Sequence, residues 1–254
     1  MAKCKKIIVA GPLVIEALYP RGSRYDSPKV RAAKQKASSA AQARMNQIYS
    51  YQKLELMLAA NFPRPGSALV VTLTYDDDKL PKERKQATGQ LKHFRSKLAA
   101  ERKAKGQELV MFWATEHKHG DARFHHHCVI NSTGDDYELI RRLWDYGTDI
   151  EITPLRVDKE KNYATQAKYM AKEEREKLGL RAWSYTRNAK KPDKPDVFTV
   201  DDDTQIQPPS GSTVLQDVYE RTDYAAYHVI KYLAPGWERQ PKVKAKRRRK
   251  RRRA

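Results

Sequence analysis

Residues 108 to 131, ELVMFWATEHKHGDARFHHHCVIN, leave little freedom in what they can fold into. Two apolar runs flank a short polar segment containing glycine, and three consecutive histidines open the second run. That is the pattern of two strands joined by a hairpin turn. Successive side chains of a strand point to opposite faces. RFHHHCVI therefore divides into His125, His127 and Val129 on one face, and Phe124, His126, Cys128 and Ile130 on the other, which reads as a core face. Two imidazoles two residues apart on one strand face can grip one divalent ion. His126 reads instead as a satisfied histidine of the buried face.

The preceding strand offers a third ligand. Val110, Phe112, Ala114 and Glu116 share one face, and Glu116 is the first charge after the apolar run. With a four-residue turn, His119 to Ala122, Glu116 falls opposite His125 and Ala114 opposite His127, and opposed Cβ atoms lie about 4.5–5.5 Å apart. A three-residue turn would put Glu116 on the wrong face. Two histidines and a carboxylate leave open positions for water or a phosphate oxygen. Five of the seven histidines lie between His117 and His127; His117 and His119 read as solvated turn residues, either of which can take the place of Glu116.

The charge balance points to the partner. Lys and Arg number 51 against 31 Asp and Glu, a formal net charge of +20 over 254 residues. Arg239 to Ala254 carries eleven basic residues and no acid, so the rest of the chain is still positive. A basic body with a basic tail suits a polyanion, nucleic acid above all. Cys4 and Cys128 make no disulfide framework, so a reducing compartment is expected. The apolar run after MAKCKK is interrupted by Gly11-Pro12 and Glu16, which argues against a signal peptide. No stretch approaches the roughly 18 apolar residues of a membrane span. The expectation is a soluble cytoplasmic protein, associated with the nucleoid or a replicon.

Residues 1 to 26 read as irregular with one strand at Ile7 to Val9. Ser27-Pro28 is a helix start, and the helix should run to about Ala60 on a stripe of Met45, Ile48, Tyr49, Leu56 and Ala60. SALVVTLTY is a buried strand rich in β-branched residues. Pro81 opens a second helix with Leu91, Phe94 and Leu98 at helical spacing, ended by Gly106. After the hairpin, Asp135 or Asp136 caps a short helix carrying Leu139, Ile140, Leu143 and Trp144, and a strand follows over 148 to 157. The order β-α-β-β-α-β is the split arrangement that gives an antiparallel sheet with helices on one face. A third helix lies within KNYATQAKYMAKEEREKLG, where Tyr163, Ala167 and Met170 form a core stripe, and Tyr169 and Lys172 adjoin it at i, i+3. RAWSYTRNAKKPDKP is basic with interleaved aromatics, suited to stacking and phosphate contact through Arg187, Lys190 and Lys191. VDDDTQIQPPSGS is a loop, Tyr219 to Leu233 a last helix or strand, and the tail with Lys246, Arg247, Arg248 and Arg249 should be disordered until it meets an anion.

Three motifs in order resemble those of the HUH endonucleases, specifically the single-tyrosine rolling-circle replication initiators of small phages, plasmids and integrated bacterial elements. VVTLTY (70 to 75) looks like the family's first motif, a core strand. RFHHHCVI looks like its His-hydrophobic-His motif, with His126 where a bulky apolar residue is usual. AKYMAK (167 to 172) resembles its Tyr-x-x-Lys helix motif. LAANFPRPGSALVVTLTY and the Trp183 to Pro192 stretch extend the similarity over about residues 45 to 192.

The resemblance implies an α+β fold, an antiparallel sheet of about five strands with helices packed on it in a ferredoxin/RRM-like HUH arrangement, plus an N-terminal helix and a basic disordered tail. It implies an N-terminal segment over 1–60, an endonuclease domain over 61–192, a C-terminal extension over 193–238 and a tail over 239–254. It further implies that His125, His127 and Glu116 hold Mg²⁺ or Mn²⁺, and that Tyr169 attacks a DNA phosphate to leave a 5′-phosphotyrosine and a free 3′-OH primer. Lys172 would lower the Tyr169 pKa or steady the phosphate. The implied partners are single-stranded or cruciform origin DNA and the host helicase and polymerase, with no membrane. Thr165 and Glu173 occupy the positions a second tyrosine would take. Tyr232, in VIKYLAPG, is a rival nucleophile, with Pro235 in place of the lysine. Two other readings stand beside this one: a non-catalytic nucleic-acid-binding protein, and a related single-tyrosine transposase or relaxase.

Overall fold

A computed structural model describes residues 3–21, 39–117, 123–158, 160–171, 182–221 and 226–237. In chain order they form β1 (Lys3–Ala10), β2 (Leu13–Pro20), α1 (Ser39–Asn61), β3 (Ala68–Leu73), α2 (Arg84–Ala104), β4 (Met111–Glu116), β5 (His125–Asn131), α3 (Asp136–Leu143), β6 (Ile150–Pro154), α4 (Tyr163–Met170), β7 (Ser184–Tyr185), β8 (Asp196–Val200), β9 (Thr213–Arg221) and β10 (Ala226–Leu233). The run β3-α2-β4-β5-α3-β6 is the expected split order, and it folds into an antiparallel sheet of strand order β6-β3-β5-β4-β7. The fold is α+β, and among the described residues no helix is long and apolar enough to cross a membrane.

Helices cover both faces of this sheet, not one. Leu69, Val71, Leu73, Met111, Cys128 and Ile130 pack against Leu91, Phe94 and Leu98 of α2 and Leu139 and Ile140 of α3. On the other face Ala68, Phe112, Ala114 and Val129 pack against Leu54, Met57 and Leu58 of α1 and Tyr163, Ala167 and Met170 of α4. Strands buried on both sides read as nearly continuous apolar runs, as ALVVTL and MFWAT do. The short helix α4 has an N-cap in Asn162, whose side chain accepts from the Ala164 and Thr165 amides. Tyr163 is buried and donates its hydroxyl to the Phe62 carbonyl at 2.7 Å; burial raises its pKa. It is a packing residue.

The ends of the chain do not follow the expectation. Residues 3–20 are not irregular with a single strand; they form the hairpin β1–β2, and its turn is Gly11-Pro12. Gly11 takes φ +56°, and a Cβ there would meet the Ala59 carbonyl at 2.3 Å, so glycine meets two demands at once. β8, β9 and β10 join this hairpin in a second antiparallel sheet of order β8-β1-β2-β10-β9. Ala10, Leu13 and Leu233 of this sheet enter the same core as α1.

The apolar stripe expected on α1 is also corrected. Ile48 and Tyr49 are exposed, at 38% and 61%. The buried face runs through Leu54, Met57, Leu58 and Glu55, whose carboxylate takes two hydrogen bonds from Lys231 on β10 at 2.8 and 2.9 Å. A buried charge on the core face hid the true stripe from the sequence pattern. The helix start at Ser27-Pro28, the continuation of the third helix beyond residue 171 and the basic tail lie outside the described residues.

One buried ion pair ties α2 to α3. Arg102, fully buried, donates to Asp136 Oδ1 at 2.6 Å and to Asn131 Oδ1 at 2.6 Å and its carbonyl at 2.9 Å. Burial alone would raise the Asp136 pKa. Hydrogen bonds from Thr133 and Gly134 and the Arg102 charge outweigh it and hold the carboxyl below its ordinary range. Removing one partner of such a pair leaves an uncompensated buried charge, at a cost of about 3–5 kcal/mol. Arg102→Met should therefore lower the stability measured by urea unfolding by that amount; an unchanged midpoint would remove the pair from the fold's supports. Because the folded pKa lies below the unfolded value, the Asp136 contribution is complete above about pH 4 and is lost as pH falls through the folded value.

Candidate metal centre and its tyrosine

The β4–β5 register places Glu116 opposite His125 and Ala114 opposite His127, as the four-residue turn required. His125 and His127 project on the face that α4 covers. Glu116 Oε2 lies 2.8 Å from His127 Nε2 and 3.1 Å from His125 Nε2. One ligand atom from each of the three residues falls within 4.8 Å of the others. The two imidazole rings meet edge to face, with centroids 4.8 Å apart.

The surroundings fix which nitrogen each ring presents. His125 Nδ1 is 3.1 Å from the Arg123 carbonyl. A carbonyl only accepts, so Nδ1 carries the hydrogen and Nε2 keeps its lone pair. His127 Nδ1 faces Thr72 Oγ1 at 3.5 Å, across the β3–β5 pairing. Both histidines thus offer Nε2 toward the carboxylate, and such outer partners are what orient metal-ligating histidines. A cluster of two imidazoles and a nearly buried carboxylate fits a divalent ion that accepts mixed nitrogen and oxygen donors and keeps positions for other oxygens. Glu116, His125 and His127 can therefore hold a metal ion.

His126 does the opposite job. It is fully buried on the other face, its Nε2 2.7 Å from the Tyr75 hydroxyl and its Nδ1 3.0 Å from Thr115 Oγ1. Burial, then the neighbouring His125, His127 and Arg84 charges, push its pKa down to about 3, so it stays neutral. Tyr75 packs edge-on against Trp144. The sequence pattern gave no sign that Tyr75, Thr115 and Thr72 serve the histidines, because all three read as ordinary strand residues; only pairing across β3, β4 and β5 brings them there.

His117 is not a turn residue in solvent. It is half-buried, stacks on Phe124 at 4.1 Å and stands outside the ligand cluster. His119 lies outside the described residues.

Tyr169 sits at the end of α4 with its ring 4.5 Å from that of His127, and it is 42% exposed. The same helix buries Tyr163, Ala167 and Met170, so the face next to the core stripe points the phenol at the metal centre. Lys172 lies outside the described residues. Tyr232 is buried in the second sheet and donates to Glu16 at 2.7 Å; burial raises its pKa, which disqualifies it as a nucleophile. Arg187, Lys190 and Lys191 lie just beyond β7. β7 pairs with Phe112 and Trp113, so these cations flank the end of β4 remote from Glu116, some three to four strand residues or about 10–13 Å away. Lys246, Arg247, Arg248 and Arg249 lie outside the described residues.

Titration of the purified chain with Mn²⁺ should show one ion bound, and His127→Ala or Glu116→Ala should abolish the heat of binding. His126→Leu should retain the ion within a few-fold, since its ring faces away. Loss of the ion in His126→Leu with the fold intact would move the ligand set to the wrong face of β5.

No curated protein and no solved structure shows a significant match to the chain. Residues 68–174, from the start of β3 past the end of α4, match a family model of replication-associated proteins, the ORF2 type, and this span contains Glu116, His125, His127, Tyr169 and Lys172.

Proposed function

We propose that this chain initiates rolling-circle DNA replication by nicking and rejoining a single strand at an origin, within a catalytic unit of about residues 61–192. The observation that carries the proposal is the phenol of Tyr169 standing beside His127 in the Glu116–His125–His127 cluster. The match over residues 68–174 to a replication-associated family supports it.

In this reading a backbone phosphate of single-stranded DNA enters between the cluster and Tyr169. The phenolic oxygen attacks phosphorus and its proton passes to water. The bond from phosphorus to the 3′-oxygen breaks, and that oxygen takes up a proton to become the 3′-OH. The chain is left joined to the new 5′ end through a phosphotyrosine. The ester count is unchanged, so attack by a 3′-OH on the phosphotyrosine reverses the step and rejoins DNA.

A free phenol has a pKa of about 10 and is a weak nucleophile at neutral pH, so the surroundings must help. Mg²⁺ or Mn²⁺ held by Glu116, His125 and His127 would supply neutralisation of phosphate charge. The residues contribute position: the packed stripe of α4 aims the ring, and orientation alone is a large part of such a barrier. Lys172, one helical turn on, is the cation assigned to the phosphate or the phenolate. Arg187, Lys190, Lys191 and the tail residues Lys246 to Arg249 are assigned to the DNA backbone, with host helicase and polymerase taking over the 3′-OH.

Tyr169→Phe should abolish cleavage of origin single strands and the covalent adduct on a denaturing gel, while leaving DNA binding within a few-fold. Retained nicking in that variant would remove the proposed nucleophile. Wild-type binding with no adduct under any divalent ion would favour a non-catalytic nucleic-acid-binding protein. Binding should in either case fall steeply with salt.

A further inference from the structure

Next to the metal centre the sheet ends in a pocket of about 470 Å³, lined by Thr74, Tyr75, Asp76, Arg123, His125 and Asp149 among others. His125 belongs to both, so the pocket and the metal centre are continuous. Its floor is built rather than incidental. Trp144 Nε1 donates to the Thr74 carbonyl at 2.7 Å, and the Asp76 carboxylate accepts from the Thr148 amide and hydroxyl at 2.9 and 3.0 Å. Gly147 sits so close to Thr74 that a Cβ would meet its carbonyl at 2.3 Å. The loop after β3 is thereby clamped to the loop before β6, and the pocket keeps its shape without a ligand.

Its chemistry selects a base, not a phosphate. Asp76, Asp77 and Asp149 set three carboxylates against the single guanidinium of Arg123, which repels a phosphate diester. Arg123 spends only Nη2, donating to the Tyr75 carbonyl at 2.9 Å and pairing with Asp77 at 2.5 Å. Among the described residues neither its Nη1 and Nε nor the Asp149 carboxylate has a partner. A guanidinium and a carboxylate lining one pocket offer donors and an acceptor pair. Guanine presents the complement, with O6 and N7 as acceptors and N1–H and N2–H as adjacent donors. Adenine and cytosine each carry one amine and thymine a single N–H, so none of them gives a carboxylate two neighbouring donor groups.

We propose that this pocket holds the guanine base of a nucleotide flanking the scissile phosphate, with Arg123 and Asp149 as the residues that specify it. The inference rests on the nicking reading for its position, but not for its binding chemistry. The volume suits a base with part of its sugar, within the usual range of roughly 300–1,000 Å³ for small-molecule sites.

The test is selection from a random single-stranded DNA pool in metal-free buffer, with the full-length chain, Arg123→Ala and Asp149→Asn. Both substitutions are on exposed residues, and thermal melts confirm that each variant is folded. The wild-type chain should fix guanine at one position, and each substitution should flatten that position alone, by roughly tenfold to a hundredfold in preference. Sequencing of Mn²⁺-cleaved ends should place that guanine beside the nick. A selected pool in which neither substitution changes any position, or in which the responsive base is not guanine or is distant from the nick, overturns the proposal. A chain that selects the guanine but never nicks keeps the pocket and loses the nickase; a chain that nicks while both variants retain its base preferences loses the pocket and keeps the nickase.

Discussion

The antiparallel pairing of β4 with β5 is the constraint on which the site depends. It sets Glu116 against His125 and Ala114 against His127. The small alanine opposite His127 leaves the space into which the Glu116 carboxylate reaches, at 2.8 Å from His127 Nε2. A slip by one residue would turn His125 and His127 into the core that holds Leu91 and Phe94, and would bring His126 out instead. Register here is specified on both faces, because both faces are buried.

His126 is part of that specification. An apolar side chain would fill the space, but a neutral imidazole also bonds Thr115 on β4 and Tyr75 beyond β3. Three adjacent histidines thus divide their labour by pleat alone: the outer pair offers lone pairs to one point, and the middle one fastens three strands beneath them. Buried polar groups of this kind are costly when unpaired and hold one arrangement when fully paired. Both ring nitrogens of His126 are paired.

Strand alternation and turn length made the Glu116–His125–His127 cluster legible in the sequence, and helical spacing separated Tyr163, which packs, from Tyr169, which faces the cluster. These are local patterns, and local patterns survive without an alignment. The second sheet was not legible for the opposite reason. β1 pairs with β8, nearly two hundred residues on, and no periodicity within either segment announces such a partner. KCKKIIVA carries lysines where a buried strand would carry apolar residues, and DVFTV is almost wholly exposed. Glu55 misled the reading of α1 because its partner, Lys231, also comes from the far end of the chain. Pocket residues Arg123 and Asp149 were invisible too, being loop residues whose meeting depends on three strand ends.

That second sheet has a place in the chemistry. α4 has eight residues, far fewer than the roughly 12–15 an isolated helix needs to persist in water. Its position must come from packing, and its packing partner is α1, through Tyr163, Ala167 and Met170 against Leu54, Met57 and Leu58. α1 is in turn held from behind: the Lys231–Glu55 pair joins it to β10, the Gly11 turn presses on Ala59, and Asn61 holds the Lys190 backbone by two hydrogen bonds of 2.8 Å. The chain's two ends therefore close over the helix that braces the tyrosine. A nucleophile on so short a helix can stay within reach of the metal centre only because the layers behind it do not give.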